Sequence, residues 1–142
     1  MRPPLAPVSL LDLRAAQVRL DGIAVRTPLT RLGLPGDIPE IFVKLESLQP
    51  IGSFKIRGAA NAMALAGRDA FAGGVYTASA GNMAQGVAWC ARELGVPCQV
   101  IVPDTAPHTK LAAIDRLGGA VFRVPFDEGW QPRLEDREAA VM

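Results

Sequence analysis

The chain has 142 residues and a formal net charge of +1, from 15 basic and 14 acidic residues. Because these charges are spread along the chain, they provide no field that would attract nucleic acid or an anionic membrane, and no apolar run reaches the roughly 18 residues of a membrane span. The start lacks the pattern of a signal peptide, and Cys90 and Cys98 lack metal-ligand spacing. We therefore expect a soluble, cytoplasmic protein without a metal that acts on a small molecule.

The N-terminal third of the chain predicts one helix, a turn-rich stretch and one strand. Ser9 followed by Asp12 resembles a capping box and indicates a short helix through about Leu20. Turn residues dominate residues 27–39. The apolar run at residues 41–46 is typical of a strand that ends near Ser47.

Residues 55–124 alternate between helical and strand patterns. A helix that begins at Lys55 carries its apolar face at Ile56, Ala60, Met63 and Ala64 and ends at Gly67. Two further helices lie between strands at residues 75–78, 99–102 and 120–124. These strands recur at intervals of roughly 20 to 25 residues, which a βαβ crossover requires. The fold class is therefore α/β, with an open parallel sheet and flanking helices.

The first candidate site is the run Gly-Ser-Phe-Lys-Ile-Arg-Gly-Ala at residues 52–59, where Lys55 lies at a loop-to-helix junction beside an aromatic ring. Partial burial favours the uncharged form of a lysine, which can attack an aldehyde and form a Schiff base. The alternative, which spacing alone favours, is a solvated lysine that begins a helix. A nucleotide-phosphate lysine is disfavoured because the order GxxxxGK[ST] is absent.

The second candidate site is the run Ser79-Ala80-Gly81-Asn82-Met83, between a predicted strand and a predicted helix. In a parallel sheet, ligands bind at the carboxyl ends of the strands, where a helix N-terminus offers free N–H groups to a carboxylate. The Asn82 amide can donate to a cofactor oxygen. The alternative is that Ser79 and Asn82 only cap the helix.

Together the two motifs resemble the fold-type II pyridoxal-phosphate enzymes, specifically the serine/threonine dehydratase (threonine ammonia-lyase) family. Residues 46–59 resemble the family's cofactor-lysine motif, residues 79–82 resemble its asparagine loop, and the resemblance extends from about Thr27 to Phe126. It implies the small α/β domain of the tryptophan-synthase-β-like fold at residues 51–126. Residues 1–50 would belong to an incomplete large domain, and residues 127–142 would form a tail or an incomplete element.

The resemblance also implies a role for each motif residue. Lys55 would bind pyridoxal 5'-phosphate covalently and, once released, remove the α-proton of the amino acid; Phe54 would lie against the pyridine ring, and Asn82 would bond its phenolic oxygen. The implied substrate-binding residues are Ser79, Ala80, Gly81, Asn82 and Met83. The implied reaction converts L-threonine or L-serine to a 2-oxo acid and ammonia, in a protein that forms a homo-oligomer at full length.

Two residues depart from the family pattern. Met83 stands where the family usually has histidine, a change that leaves backbone binding of the carboxylate intact. Ala80 stands where relatives that racemise serine carry a hydroxyl, and alanine cannot serve as a second acid or base. We therefore predict elimination rather than racemisation.

The 142 residues contain no glycine-rich tetrad, so the loop that grips the cofactor phosphate should lie outside them, and the chain is expected to be a truncated family member whose own activity is left open. Two other functions remain open, a non-catalytic amino-acid-binding module and a β-replacement enzyme of the cysteine or threonine synthase type. His108 is expected to be solvated. Glu46 and Arg57 could form a solvated ion pair, to which we assign no chemistry.

Overall fold

The computed structural model describes residues 7–36 and 39–126, so the predicted element at residues 127–142 lies outside the described part. Two short 3-10 helices, Glu46–Leu48 and Arg68–Phe71, accompany the main elements. In chain order, the helices and strands of the described residues are α1 (Leu10–Arg19), β1 (Leu29–Arg31), β2 (Phe42–Lys44), α2 (Lys55–Ala66), β3 (Val75–Ala78), α3 (Asn82–Leu94), β4 (Cys98–Pro103), α4 (His108–Arg116) and β5 (Gly119–Val124).

Strands β3, β4 and β5 form the predicted parallel sheet, in that spatial order. Val75 pairs with Cys98, which in turn pairs with Gly119. Helices α3 and α4 cover the same face of this sheet, because Ala88 of α3 and Ile114 of α4 both approach the backbone of Gly119. This arrangement follows from two right-handed crossovers that step in the same direction across the sheet, and it confirms the predicted α/β class.

The helix boundaries follow local signals in the sequence. Helix α1 begins with the predicted capping box, in which the Ser9 hydroxyl accepts from the Asp12 N–H at 3.1 Å and the Asp12 carboxylate accepts from the Ser9 N–H at 2.9 Å. Helix α3 ends at Gly95, whose φ of 70° is left-handed and closes the last turn. The main core lies between α2, α3, α4 and the sheet.

Three details of the sequence interpretation are wrong. The strand predicted at residues 41–46 is confined to β2, because Glu46 already belongs to a 3-10 helix. Strand β1 lies inside the stretch predicted as turns and pairs antiparallel with β2; three residues after a Thr-Pro turn carry too little local signal to predict it. On α2, Ala64 is exposed whereas Ala59 is buried, so the helix presents a slightly rotated face to its neighbours.

Candidate active site

Lys55 is the first residue of α2, at the loop-to-helix junction that the sequence predicts. Its backbone N–H donates to the hydroxyl of the buried Ser53 at 3.3 Å, and the preceding turn uses a φ of 66° at Gly52. The side chain is partly buried, and its Nζ lies 4.9 Å from the centre of the Phe54 ring. This contact stabilises the Lys55 side chain, since the face of an aromatic ring attracts a cation.

The second motif follows β3 directly. The Ser79 N–H donates to the carbonyl of Ile101 at 3.1 Å, so the chain continues the sheet pairing by one residue before it turns. The Ser79 hydroxyl accepts from the N–H of Gly81 at 3.1 Å. The N-cap of α3 is Gly81, and no side chain caps this helix end. The alternative in which Ser79 and Asn82 serve only as helix caps is therefore wrong.

The uncapped first turn of α3 presents free backbone donors. The first backbone hydrogen bond of this turn joins the N–H of Gln85 to the carbonyl of Gly81 at 3.3 Å. The N–H groups of Asn82, Met83 and Ala84 precede that bond, and the helix dipole adds positive potential at the same end. A carboxylate is the ligand that such a helix end favours.

The two motifs are brought together where α2 packs against α3. A Cβ atom on Gly86 would lie 3.2 Å from the Ala59 Cβ and 3.3 Å from the carbonyl oxygen of Lys55. Asn82 precedes Gly86 by four residues, which is about one helical turn or roughly 6 Å along the axis. The backbone of Lys55 therefore lies about one helical turn of α3 away from Asn82.

Sequence reasoning missed a polar network that surrounds the Glu46 carboxylate near the start of α2. Arg57 donates to both carboxylate oxygens of Glu46, from Nε at 2.9 Å and from Nη2 at 2.8 Å. The Thr27 hydroxyl donates to the same carboxylate at 2.6 Å, and the Gln49 amide donates to it at 3.2 Å. The predicted pair of Glu46 and Arg57 exists and is partly shielded from water, because the two side chains are only 18% and 31% exposed.

This network explains which polar side chains are buried in the loops before α2. Among the described residues, the buried polar side chains are those of Thr27, Gln49 and Ser53, and all three contact the network or the start of α2. The hydrogen bonds from Arg57 lower the pKa of Glu46 from its usual 4.5 to about 2, so the carboxylate stays charged at neutral pH. Opposite charges that flank the lysine motif were the available sequence signal.

The remaining candidates contribute no chemistry to this site. His108 is exposed at the start of α4, as expected. Cys90 and Cys98 are free and buried, and burial raises the pKa of each thiol to about 11. Within the described ranges, no group of His, Cys, Asp or Glu side chains could hold a metal ion, and no helix is long and apolar enough to cross a membrane.

Comparison with known proteins identifies relatives that cover most of this chain. A family profile described as "Pyridoxal-phosphate dependent enzyme" matches residues 20–142. The L-threonine ammonia-lyase of Thermotoga maritima is 37% identical over 140 residues, which cover 94% of this chain and 35% of that protein. The L-threonine ammonia-lyase of Geobacter sulfurreducens is 44% identical over 110 residues, which cover 76% of this chain and 26% of that protein.

Solved structures agree with this result. The crystal structure of serine racemase from Dictyostelium discoideum superimposes with a TM-score of 0.77 and 34% identity, covering 93% of this chain and 42% of that one. This likeness confirms the predicted fold class. The chain spans only 26% and 35% of the length of the two ammonia-lyases.

Proposed function

The chain belongs to the pyridoxal-phosphate-dependent enzyme family, and from that premise we propose that it carries the active-site lysine of a dehydratase that converts L-threonine or L-serine to a 2-oxo acid and ammonia. One observation carries the proposal. Lys55 begins α2 within about one turn of the uncapped first turn of α3, and this proximity results from the packing of Gly86 against the Lys55 carbonyl. An amine and a carboxylate-binding helix end are the two groups needed to hold an amino acid beside an aldehyde cofactor.

The residues present fit pyridoxal 5'-phosphate, the cofactor of the family. Lys55 provides a primary amine on an ordered helix start, and Phe54 provides an aromatic surface beside it that is 57% exposed. The exposed Asn82 amide supplies a hydrogen-bond donor. The phosphate-binding loop remains a prediction for sequence outside these 142 residues.

The proposed chemistry assigns separate roles to α2 and α3. When bound, the cofactor supplies the electron sink that stabilises negative charge at the α-carbon of the amino acid. The N–H groups of Asn82 and Met83 bind the substrate carboxylate and thereby orient the α-carbon. The Lys55 amine would hold the cofactor and, when free, would accept the α-proton and pass a proton to the departing β-hydroxyl, which leaves as water.

Ala80 favours elimination over racemisation in this proposal. Its methyl group packs against the core cluster and carries no hydroxyl that could return a proton to the opposite face of the α-carbon. Met83 donates through its backbone, so the absence of histidine does not affect the carboxylate contact. The division at residues 50 and 126, the homo-oligomer and the cytoplasmic location remain predictions.

Covalent labelling tests the role of Lys55. The chain has three lysines, at positions 44, 55 and 110, so the last serves as an internal reference on the exposed side of α4. The chain is incubated with pyridoxal phosphate, reduced with borohydride and digested, and the adduct at each lysine is quantified by mass spectrometry. We expect the adduct at Lys55 to form preferentially, Lys55→Ala to abolish the yellow colour, and Lys110→Ala to leave it unchanged.

Turnover distinguishes the three functions. Release of a 2-oxo acid from L-threonine or L-serine supports the dehydratase. An adduct at Lys55 without any 2-oxo acid, together with consumption of a thiol and an activated serine, would instead identify a β-replacement enzyme. A colourless protein with no preferred lysine adduct that still binds amino acids would identify the non-catalytic module.

A further inference from the structure

We propose that Glu46 is a positioning residue. Its carboxylate connects the segment before β1, residues 25–27, to the first turn of α2 and so determines where Lys55 lies. The inference deepens the proposed function and rests on it only for the assignment of Lys55 as the cofactor-binding lysine. Glu46 itself acts through Arg57 and the backbone.

The carboxylate of Glu46 is saturated by donors from three separate parts of the chain. Oε1 accepts from Thr27 and Arg57, and Oε2 accepts from Arg57 and Gln49. The paired hydrogen bonds of a guanidinium with a carboxylate fix both distance and orientation, unlike a single point contact. The Glu46 carboxylate therefore joins the loop at Thr27, the 3-10 helix and the first turn of α2.

The segment before β1 is held through its backbone as well. The Gln49 side-chain amide donates to the carbonyl of Val25 at 2.8 Å and accepts from its N–H at 3.0 Å. Arg57 Nη2 donates to the same carbonyl at 2.9 Å, and Lys44 Nζ donates to the Thr27 carbonyl at 2.9 Å. Each of these side chains also lies against Glu46, with Lys44 Nζ at 3.9 Å from Oε1.

The network adds a polar restraint next to Lys55 at the start of α2, where the core already holds the buried Ile56 side chain. No side chain caps this end at Phe54, and the turn before it pivots on Gly52, which adopts a left-handed φ. Arg57 follows Lys55 by two residues, so it projects from roughly the opposite side of the helix. The network thus anchors the far side of the first turn and leaves the near side open for the amine.

Replacement of Glu46 by glutamine tests the proposal with little change of shape. In Glu46→Gln the charge is lost, and an amide nitrogen replaces one acceptor oxygen, so the paired contact with Arg57 cannot form. The matched control is Glu40→Gln, which removes the exposed 2.8 Å pair with Arg31 between side chains that are 60% and 65% exposed. Both variants are labelled with pyridoxal phosphate and reduced as described above.

We expect Glu46→Gln to lower the ratio of adduct at Lys55 to adduct at Lys110 about tenfold, because small displacements of a reacting group have large rate effects. Glu40→Gln should leave that ratio unchanged. Hydrogen exchange provides a second readout that does not depend on the cofactor: Glu46→Gln should accelerate exchange in the first turn of α2 while α3 and α4 keep the wild-type rates.

The outcomes separate the two proposals. A normal labelling ratio together with normal exchange at the start of α2 in Glu46→Gln would overturn the positioning role. Faster exchange throughout the described fold would also overturn it, since that pattern indicates a general loss of stability. If the wild-type chain shows no preference for Lys55, the proposed function fails, and the exchange pattern alone decides the role of Glu46.

Discussion

Gly86 of α3 lies directly against the backbone of Lys55 in α2, where a methyl group at position 86 would approach the Lys55 carbonyl oxygen to 3.3 Å. The Ala59 Cβ at 3.2 Å and the Ile51 Cδ1 at 3.5 Å close the remaining space. The distance between the two helices at this point is therefore set by the absence of a side chain. That distance also sets how far the backbone of Lys55 lies from the first turn of α3.

Gly86→Ala should force α2 and α3 apart at the Lys55 end. Overpacking of this kind costs about 1–3 kcal/mol, and the better helix propensity of alanine offsets it by about 1 kcal/mol. We therefore expect a net loss of up to about 2 kcal/mol in the free energy of unfolding, measured by urea denaturation. The displaced carbonyl should also lower the yield of adduct at Lys55.

The matched control is Gly58→Ala, the same substitution inside α2. A Cβ atom at Gly58 meets nothing within 4 Å, so only the helix propensity changes. The variant should be more stable than the wild type by up to about 1 kcal/mol. Equal stability of the two variants would contradict the close packing at Gly86.

The ionised form of Glu46 should make the fold sensitive to acid. Its pKa is about 2 in the folded chain and near 4.5 when it is unperturbed, so the folded state binds this proton less readily than the unfolded state. The stabilisation is complete above about pH 4.5 and is lost as the pH falls towards 2. Because Arg57 is partly exposed, we expect the lost stability to be only about 1–3 kcal/mol.

The measurement is the difference in unfolding free energy between the wild type and Glu46→Gln as a function of pH. This difference should be largest at neutral pH, shrink through the acid range, and vanish near pH 2. Asp12, whose pKa is also lowered by its hydrogen bonds with Ser9, contributes equally to both proteins and cancels in the difference. A difference that stays constant from pH 6 to pH 2 would show that the stabilisation does not depend on the charge of Glu46.

Gly119→Ala should destabilise the sheet. A Cβ atom there would lie 2.8 Å from the Ile114 Cγ2, 3.2 Å from the Val100 Cγ2 and 3.3 Å from the Ala88 Cβ, all three residues being fully buried. We expect a loss of about 1–3 kcal/mol in unfolding free energy. Gly33→Ala, at a position with nothing within 4 Å of the added carbon, serves as the control and should change stability little.

The two cysteines should react with iodoacetamide only after unfolding. Burial raises the pKa of Cys90 and Cys98 from 9.0 to about 11, which at pH 8 lowers the thiolate fraction about 100-fold. Labelling of the native chain should therefore be slower than labelling in urea by at least that factor. Rapid native modification of Cys90 would show that α3 opens readily, since this residue is buried in the hydrophobic core.

The sequence by itself determined the elements whose signals are local. The strand at residues 75–78, the helix that ends at Gly95, and the start of α2 at Lys55 follow from apolar periodicity and from cap residues, which act within a few positions along the chain. The same locality made both motifs recognisable. The parallel sheet was also predictable, because strands that alternate with single helices need crossover connections, whereas the strand order was not among the predictions.

Only the tertiary structure decided features that depend on distant partners. Strand β1 exists through its pairing with β2, and the buried face of α2 includes Ala59 because α3 contributes Gly86 opposite it. Glu46 and Arg57 are eleven residues apart, and the sequence showed only two opposite charges. Partial burial limits competing water, and the additional donors from Thr27 and Gln49 complete an ordered network around the two charges. No local sequence pattern encodes a contact between three segments of the chain.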